Sequence, residues 1–380
     1  MKKIVLLSNH AKYTYRLRKE LIFELLNQGY SVDLICPYGK ELDDLESEGV
    51  RLNHVPFNGR GKNLIKEGLL FLRLMYIFYK IKPDIILGYT IKFNIYGNLA
   101  ARILGIPFIA NITGLGEGFS RSKSLEKILL ALYRLSFKKV SHIFFQNESN
   151  KKYFEEHQIF TSSSSVLPGS GINFEEFPLT PLKKSETTTI LFFSRVMKDK
   201  GIDEFLEIAK KITASSQDAS FHIAGILDKE YKGIIDFYER AGVVKYHGEI
   251  EDVVSFLQQM DIVVSPSYHE GMSNTLLEAA AIGRPIIASN IAGCKEIVLE
   301  GVSGRIVPVK KADYFAEAVE ELLRLDRSTL EKMGYSGRKY IEKNFDRKTV
   351  VKEYLAAINY NLSSQNDYEE DADERINSRA

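Results

Sequence analysis

The residues best suited to chemistry include two glutamates in the segment SPSYHEGMSNTLLEAAAIGRP, which covers residues 265–285. Glu270 lies in a polar stretch that contains glycine, and Glu278 lies in an apolar stretch of helical pattern. Gly283 and Pro285 end that helix, since glycine just past the last turn and proline beyond it are common stop signals. A short polar loop before a helix brings backbone N–H groups and the positive end of the helix dipole together. The segment therefore predicts a site for an anion such as a phosphate.

Each glutamate also has a purely structural interpretation. Thr275 and Glu278 have the spacing of a capping box, in which the glutamate side chain accepts a hydrogen bond from the backbone amide of the N-cap threonine. Glu270 also fits a solvated loop position, where most glutamates are found. From these residues alone, both interpretations stay open.

A second charged group follows another apolar run. Arg195 and Lys200 come after the apolar residues 190–193 and before a helical pattern that begins near Ile202. An arginine presents a planar fork of donors and a lysine presents a compact point charge, and the two together suit a diphosphate. Each residue alone would also be an ordinary surface cation. The order of strand, arginine, lysine, glycine and helix favours a diphosphate site.

These residues need elements to position them, and short apolar runs alternate with helical patterns along the chain. Strands are predicted at 4–7, 31–36, 52–56, 84–87, 107–111, 142–146 and 164–167, with a helix at 15–27. After a polar stretch, strands are predicted at 190–193, 220–224, 243–247, 261–265, 285–288 and 304–307, with a last helix at 349–361. This alternation predicts an α/β fold with parallel sheets covered on both faces. Such sheets bind ligands beyond the carboxyl ends of their strands.

Length and composition agree with two domains. A chain of 380 residues exceeds what one core usually supports, and 44% hydrophobic with 27% charged residues is typical of a globular protein. We expect an N-terminal domain at 1–168 and a C-terminal domain at 169–345. A helix at 346–362 could pack on either one. The acidic tail at 363–380 is expected to be disordered.

Four motifs, in order, resemble the retaining nucleotide-sugar enzymes of glycosyltransferase family 4. They are Ser194-Arg195 with Lys200-Gly201, His222-Ile223-Ala224-Gly225, Tyr246-His247-Gly248, and the pair Glu270 and Glu278. The resemblance extends to about residue 362 and is greatest for bacterial enzymes that extend polyprenyl-diphosphate-linked oligosaccharides. It implies the GT-B fold, in which two Rossmann-like, doubly wound domains face each other across a cleft. It also implies a UDP-linked sugar donor, retention of anomeric configuration, no metal and no further cofactor.

The resemblance implies roles for residues at matching positions. Arg195 and Lys200 would hold the donor diphosphate and Glu270 would contact the transferred sugar, so these three are the predicted catalytic residues. Glu278 would bind the ribose hydroxyls. The other predicted donor-binding residues are Gly271, Met272, Ser273, Asn274, Gly225, His247 and Gly248. Fixed cations at the leaving diphosphate would speed transfer, because negative charge grows there in the transition state.

The resemblance places the acceptor, a polyprenyl-diphosphate-linked saccharide, on the N-terminal domain. Family members often have glycines in the first strand-to-helix loop and a histidine after a later strand, whereas this sequence reads NHAKYTYR at 9–16 and NITGLG at 111–116. The residues at the helix start also fit an ordinary surface. The acceptor candidates are His10, Tyr13, Arg16, Asn111, Thr113 and Gly114.

Charge is unevenly distributed, although the net charge is only +1. Residues 1–170 contain 24 Lys and Arg against 15 Asp and Glu, and the remainder contains 27 against 35. The segments 62–82 and 121–140 are basic and apolar, as in helices that lie in an anionic membrane interface. Apolar faces at helical spacing are also usual in a core. We expect no nucleic-acid partner, because no aromatic platform alternates with the basic residues.

The N-terminal residues and the cysteines indicate the cellular compartment. Met1 is followed by two lysines and only four aliphatic residues, which predicts a strand and not a signal sequence. The two cysteines, Cys36 and Cys294, are far apart and fit buried positions in a reducing compartment. We therefore expect a cytoplasmic protein, peripheral at the inner face of the plasma membrane.

Two other functions remain open from the sequence. A GT-B sugar-nucleotide epimerase would share the two-domain layout and the phosphate site without using a membrane acceptor. A non-catalytic subunit that binds nucleotide sugars would keep the donor site without turnover.

Overall fold

A computed structural model of the chain describes residues 1–56, 64–116, 123–159, 163–215 and 218–377. Residues 62–63 and 121–122 of the predicted basic segments, and residues 378–380 of the predicted tail, lie outside this part. The chain divides into two compact units. Unit 1 is Met1–Ser170 with Thr349–Ala380, and unit 2 is Gly171–Lys348.

Both units are built on parallel sheets. In unit 1 the strand order is β3-β2-β1-β4-β5-β6-β7, and in unit 2 it is β10-β9-β8-β11-β12-β13. The strands are β1 Lys3–Leu7, β2 Ser31–Cys36, β3 Arg51–His54, β4 Ile85–Tyr89, β5 Phe108–Ile112, β6 His142–Phe145, β7 Ser164–Val166, β8 Thr188–Phe193, β9 Ala219–Ala224, β10 Lys245–Tyr246, β11 Ile262–Ser265, β12 Ile286–Ser289 and β13 Gly304–Val307. In each sheet the order in which successive strands are added reverses at the first strand, between β1 and β4 and between β8 and β11. Ligands of doubly wound sheets bind at such points.

Helices connect the strands. They are α1 Ala11–Asn27, α2 Asp43–Ser47, α3 Leu64–Ile81, α4 Asn98–Ile103, α5 Lys123–Ser136, α6 Glu148–Glu156, α7 Ile202–Ser215, α8 Lys232–Arg240, α9 Val253–Leu257, α10 Asn274–Ile282, α11 Ala312–Leu323, α12 Arg327–Asn344 and α13 Arg347–Asn377. Single turns of 3₁₀ helix occur at Lys40–Leu42, Phe137–Lys139, Lys198–Lys200 and Lys229–Tyr231, and a π-helical turn occurs at Phe93–Gly97.

Each sheet separates two apolar cores. In unit 1, α1 and α13 pack on one face, where Leu25 and Tyr354 are buried, and α3, α4 and α5 pack on the other, where Phe78 is buried. In unit 2, α7, α8 and α11 cover one face and α9 and α10 the other, and α12 contributes side chains to both cores. The inner strands are continuous apolar runs because both of their faces are covered. Cys36 and Cys294 are buried free thiols within these cores, as predicted.

The last helix differs from the sequence prediction. α13 begins at Arg347 and continues to Asn377, through most of the stretch for which acidic composition predicts disorder. The amino-acid composition of the tail does not show that a helix precedes it. A helix that has already formed is extended without a second costly nucleation step. The part of α13 from Thr349 onward belongs to unit 1.

Candidate active site

The loops that follow β8 and β11 lie side by side at the carboxyl edge of the unit 2 sheet, because these two strands pair directly. The amide of Tyr268 donates a hydrogen bond to the carbonyl of Asp199 at 2.9 Å and joins the loops. A Cβ at Gly201, where φ is +75°, would lie 2.1 Å from the carbonyl oxygen of Pro266. Only glycine allows this approach, since any side chain would clash with backbone and strain φ.

The close approach of the loops places Lys200 against Glu270. Lys200 Nζ lies 2.6 Å from Glu270 Oε1, and each side chain is only 15% exposed. The same carboxylate oxygen accepts a hydrogen bond from the hydroxyl of the buried Ser267 at 3.1 Å. Two predicted catalytic residues are therefore in direct contact. Ser267, which the sequence analysis did not identify, holds the Glu270 carboxylate in place through this hydrogen bond.

The N-cap of helix α10 lies two residues before the predicted Thr275, and this excludes the capping box. Its N-cap is Ser273, so Glu278 stands five positions beyond the cap, whereas a capping box needs the third position. Glu278 is instead buried within α10. The structural interpretation of Glu278 as a capping residue is wrong, and its predicted role toward a ribose stays a prediction.

The loop before α10 holds the other predicted donor-binding residues of this segment. Met272 is packed in the apolar core, and the amide of Ser273 donates to the carbonyl of Gly293 at 2.8 Å. Because that amide is already engaged within the protein, the structure does not favour the phosphate contact predicted for Ser273. Gly271 precedes these two residues in the loop, and Asn274 is the first residue of α10.

The loops after β8, β9 and β10 form the adjoining part of the same edge. A Cβ at Gly225 would lie 2.0 Å from the carbonyl oxygen of Ser194. The amide of Gly225 donates to the carbonyl of Gly248 at 2.8 Å. The side chain of Arg195 is exposed beside this packed backbone. The four motifs thus meet at one edge of the sheet, with the Lys200–Glu270 pair at the strand-switch position.

Two histidines of these motifs form a pair. His222 Nδ1 lies 2.8 Å from His247 Nε2, and the rings are stacked with centroids 5.1 Å apart. Burial, helped by His247 and Lys245, lowers the pKa of His222 to about 4. Burial also lowers the pKa of His247. Both rings are therefore neutral at neutral pH. Within the described ranges, no group of three or more His, Cys, Asp and Glu side chains is arranged to hold a metal ion.

In unit 1, the predicted acceptor residues occupy two places at the carboxyl edge. His10 is the exposed N-cap of α1, and its ring centroid lies 4.6 Å from that of Tyr13. Arg16 follows on α1 and is half-buried. The second place is the end of β5 and the loop after it, with Asn111, Thr113 and Gly114. In the sheet, β4 lies between β1 and β5.

Asn111 is buried and connected to the C-terminal helix. Its Nδ2 donates to the hydroxyl of Tyr354 on α13, and Tyr354 itself is buried. Arg18, which the sequence analysis did not identify, is buried next to them: its Cζ lies 4.4 Å from the ring centroid of Tyr89 and 5.9 Å from that of Tyr354. Arg18 lies four residues from the buried Thr14. An arginine at a core position of an amphipathic helix was the signal available in the sequence.

Each of the two units matches a family of known proteins. Residues 173–340 match the family model described as "Glycosyl transferases group 1". Residues 3–147 match the one described as "Glycosyl transferase 4-like". The chain belongs to these glycosyltransferases. The predicted enzyme class is thereby confirmed.

Curated relatives align with the glycosyltransferase over most of its length. It is 27% identical over 371 residues to the N,N'-diacetylbacillosaminyl-diphospho-undecaprenol α-1,3-N-acetylgalactosaminyltransferase of Campylobacter jejuni, which covers 93% of this chain and 97% of the relative. It is 27% identical over 316 residues to the UDP-Gal:α-D-GlcNAc-diphosphoundecaprenol α-1,3-galactosyltransferase of Escherichia coli, which covers 78% and 81%. The predicted resemblance to enzymes of polyprenyl-diphosphate-linked saccharides is confirmed.

A solved structure confirms the fold of the glycosyltransferase. The crystal structure of Anabaena Alr3699/HepE in complex with UDP and glucose superposes with a TM-score of 0.77 at 16% identity, covering 95% of this chain and 100% of that one. At this identity the likeness shows the fold alone. The predicted α/β class with two doubly wound parallel-sheet domains of the GT-B type is confirmed.

Proposed function

We propose that the enzyme transfers a sugar from a UDP-sugar, with retention of configuration, to a polyprenyl-diphosphate-linked saccharide during the synthesis of a surface polysaccharide or glycan. The observation that carries this proposal is the contact between Lys200 and Glu270 at the carboxyl edge of unit 2. It joins a cation suited to a diphosphate with a carboxylate suited to sugar hydroxyls. The names of both curated relatives, which specify diphospho-undecaprenol acceptors, support the acceptor class. The name of the galactosyltransferase supports a UDP-linked donor.

The ion pair has a direct consequence for donor binding. A diphosphate that enters beside Lys200 competes with Glu270 for the ammonium group, because charge-assisted contacts to phosphate oxygens are strong. Glu270 then has an oxygen available for a sugar hydroxyl, while Ser267 still donates to Oε1. Arg195 adds its planar donors from the exposed rim of the same edge. Glu278 accepts from the ribose hydroxyls.

The chemistry follows from this placement. The bond between the anomeric carbon and the diphosphate oxygen breaks, and the acceptor hydroxyl forms the new bond on the same face of the sugar. The hydroxyl proton passes to the departing phosphate oxygen. Lys200 and Arg195 act mainly on the transition state, since the negative charge on the diphosphate is larger there than in the bound donor. Glu270 orients the sugar and opposes the positive charge at its ring.

We also propose that unit 1 rests on an anionic membrane through α3 and α5. Five apolar residues of α3 are exposed and recur at spacings of four and three, so they share one side of the helix: Ile65, Leu69, Leu72, Tyr76 and Tyr79. Lys66, Arg73 and Lys80 are exposed along one flank of that side. Glu67 is largely buried and pairs with Lys92. An apolar side with a basic flank is typical of helices in an anionic interface.

Helix α5 extends this surface. α3, α4 and α5 pack on the same face of the sheet through one core cluster. Lys127, Lys138 and Lys139 are exposed on α5 and the turn after it. None of the helices in the described part of the chain is long and apolar enough to cross a membrane. From the basic and apolar surface of α3 and α5, we propose a peripheral location at the cytoplasmic face of the membrane, where the acceptor diphosphate would be exposed.

The donor and the reaction are tested with a panel of sugar nucleotides. We expect one UDP-sugar to raise the melting temperature strongly, since a ligand at roughly 100 times its Kd adds about 2.7 kcal/mol. The same sugar should appear, with retained configuration, on a synthetic polyprenyl-diphosphate-linked saccharide. A changed sugar from donor alone would indicate an epimerase. Tight nucleotide binding without transfer to any such acceptor would indicate a binding subunit.

The membrane surface is tested by changing Lys127, Lys138 and Lys139 together to Gln. Each basic residue near an anionic surface contributes about 1 kcal/mol, so binding to phosphatidylglycerol vesicles should weaken roughly a hundredfold. The matched control changes Lys183, Lys184 and Lys232, which are exposed on unit 2, and should bind as the wild type does. Equal loss in both triple variants in co-sedimentation would reject a specific surface on unit 1.

A further inference from the structure

Arg18 is a buried cation without a counter-charge among the residues that the structure describes. The residue is 6% exposed, and among the described residues its guanidinium donates one hydrogen bond, from Nη1 to the carbonyl of its neighbour Leu17 at 3.2 Å. In the part of the chain that the structure describes, no carboxylate forms an ion pair with it. Buried charges in proteins are normally paired or bind a ligand, because removing an ion from water is costly. Arg18 is therefore a candidate to bind an anionic ligand.

Its aromatic neighbours explain how the side chain is held. The guanidinium lies over the ring of Tyr89, at the end of β4, and near the ring of Tyr354 on α13. Such rings attract a cation through their faces, but they supply no acceptor for its N–H groups. The stacking positions Arg18 at the carboxyl edge of the sheet without neutralising it.

Two further polar groups at this edge lack partners. Asn111, opposite Tyr89 in the β4–β5 register, is buried, and its Oδ1 has no hydrogen-bond partner among the described residues. Thr90, next to Tyr89, has φ of +69°, and its buried Oγ1 likewise has no partner in the described ranges. A β-branched residue in the left-handed region is a genuine outlier. Strain and unsatisfied polar atoms concentrate at ligand sites.

We propose that Arg18, Thr90 and Asn111 form a binding subsite for the phosphorylated end of the acceptor saccharide. Arg18 binds oxygens of the acceptor diphosphate, and Thr90 and Asn111 accept hydrogen bonds from hydroxyls of the sugar attached to it. The inference rests on the proposed function, from which the acceptor diphosphate is taken. It moves the anion contact on α1 from the half-buried Arg16, an acceptor candidate of the sequence analysis, to the buried Arg18.

The first test uses inorganic pyrophosphate on protein saturated with UDP, so that the donor site is already filled. Pyrophosphate should raise the melting temperature of the wild type further. It should raise that of Lys19→Gln equally, because this control removes a neighbouring charge of the same helix. Arg18→Gln should lose the pyrophosphate shift. Asn111→Asp should lose it too, since the new carboxylate supplies the missing counter-charge. No pyrophosphate shift in the UDP-saturated wild type would overturn the proposal, even if Arg18→Gln does not fold.

The second test uses transfer kinetics. Arg18→Gln and Asn111→Asp should raise KM for a polyprenyl-diphosphate-linked acceptor at least tenfold and leave KM for the UDP-sugar unchanged. Unchanged acceptor KM with lowered melting temperature would make Arg18 a packing residue between its two tyrosines and overturn the subsite. A wild type that transfers no sugar would instead contradict the proposed function. The pyrophosphate shift would still decide on the anion site in that case.

Discussion

The carboxyl edges of the two sheets handle charge in opposite ways. In unit 2, Lys200 and Glu270 neutralise each other at 2.6 Å, and each keeps some contact with solvent. In unit 1, Arg18 is buried between two tyrosines, with no acid paired to it in the described residues. A diphosphate that binds at unit 2 must displace Glu270 from Lys200, whereas an anion that binds at unit 1 displaces no carboxylate of the described residues from Arg18. Binding at unit 2 therefore breaks one charge contact to make another, whereas binding at unit 1 compensates a buried charge for the first time.

The largest expected effect comes from removing the cation of the unit 2 pair. Lys200→Ala should lower kcat roughly 100-fold to 1,000-fold, since the loss of one fixed oxyanion partner costs about 2.7–4 kcal/mol. Lys198→Ala, an exposed lysine in the same helical turn, is the control and should retain near-normal turnover. Steady-state kinetics of the two variants, side by side, give the comparison. Equal activity in both would mean that Lys200 serves only to hold Glu270.

Glu278 tests whether the nucleotide is bound by the same edge. Glu278→Gln should weaken UDP binding by about tenfold or more, because a hydrogen bond to a charged group contributes about 1.5–3 kcal/mol. Titration calorimetry with UDP measures this, and Glu251→Gln, an exposed glutamate of unit 2, is the control. Unchanged UDP affinity would remove Glu278 from the donor site and leave its burial in α10 as a matter of packing.

Tyr354 provides the corresponding test in unit 1. Tyr354→Phe keeps the ring near Arg18 but removes the hydroxyl that accepts from Asn111. An amide left unsatisfied in a buried site costs about 1–3 kcal/mol, so unit 1 should be destabilised by that amount. UDP affinity should not change, since the nucleotide is assigned to unit 2. Chemical unfolding of this variant and of Tyr360→Phe, an exposed tyrosine of α13, measures the difference. A fall in UDP affinity would contradict the separation of roles.

The same contrast explains what the sequence could predict. Every strand was predicted, because buried parallel strands are short apolar runs separated by helical patterns. The start of α1 was placed four residues late, since His10 makes no side-chain cap and gives no signal. Lys200 and Glu270 were each predicted from motifs that lie within a few residues of a strand end, but their direct contact was not predicted. Arg18, Tyr89, Asn111 and Tyr354 come from four separate elements, and only the fold brings them together.

The smallest expected effect concerns the histidines of the two units. Burial lowers the pKa of His142, in unit 1, to about 4, as it does for His222 in unit 2. The unfolded chain takes up protons near pH 6.5, so stability is fully present above that pH and falls as the pH is lowered toward 4. His142 is hydrogen-bonded to the serines Ser163 and Ser165, which do not titrate in this range, whereas His222 faces a second histidine, His247.

Unit 2 should therefore lose stability more steeply with acid than unit 1. His222→Gln should flatten the acid slope of unfolding more than His142→Gln does, because it removes one titrating ring and the effect of its charge on the other. Denaturant unfolding at several pH values between 4 and 7 measures both slopes. Equal flattening by the two variants would mean that the histidine pair of unit 2 titrates as two independent rings. The contrast between the units would then be confined to Lys200, Glu270 and Arg18.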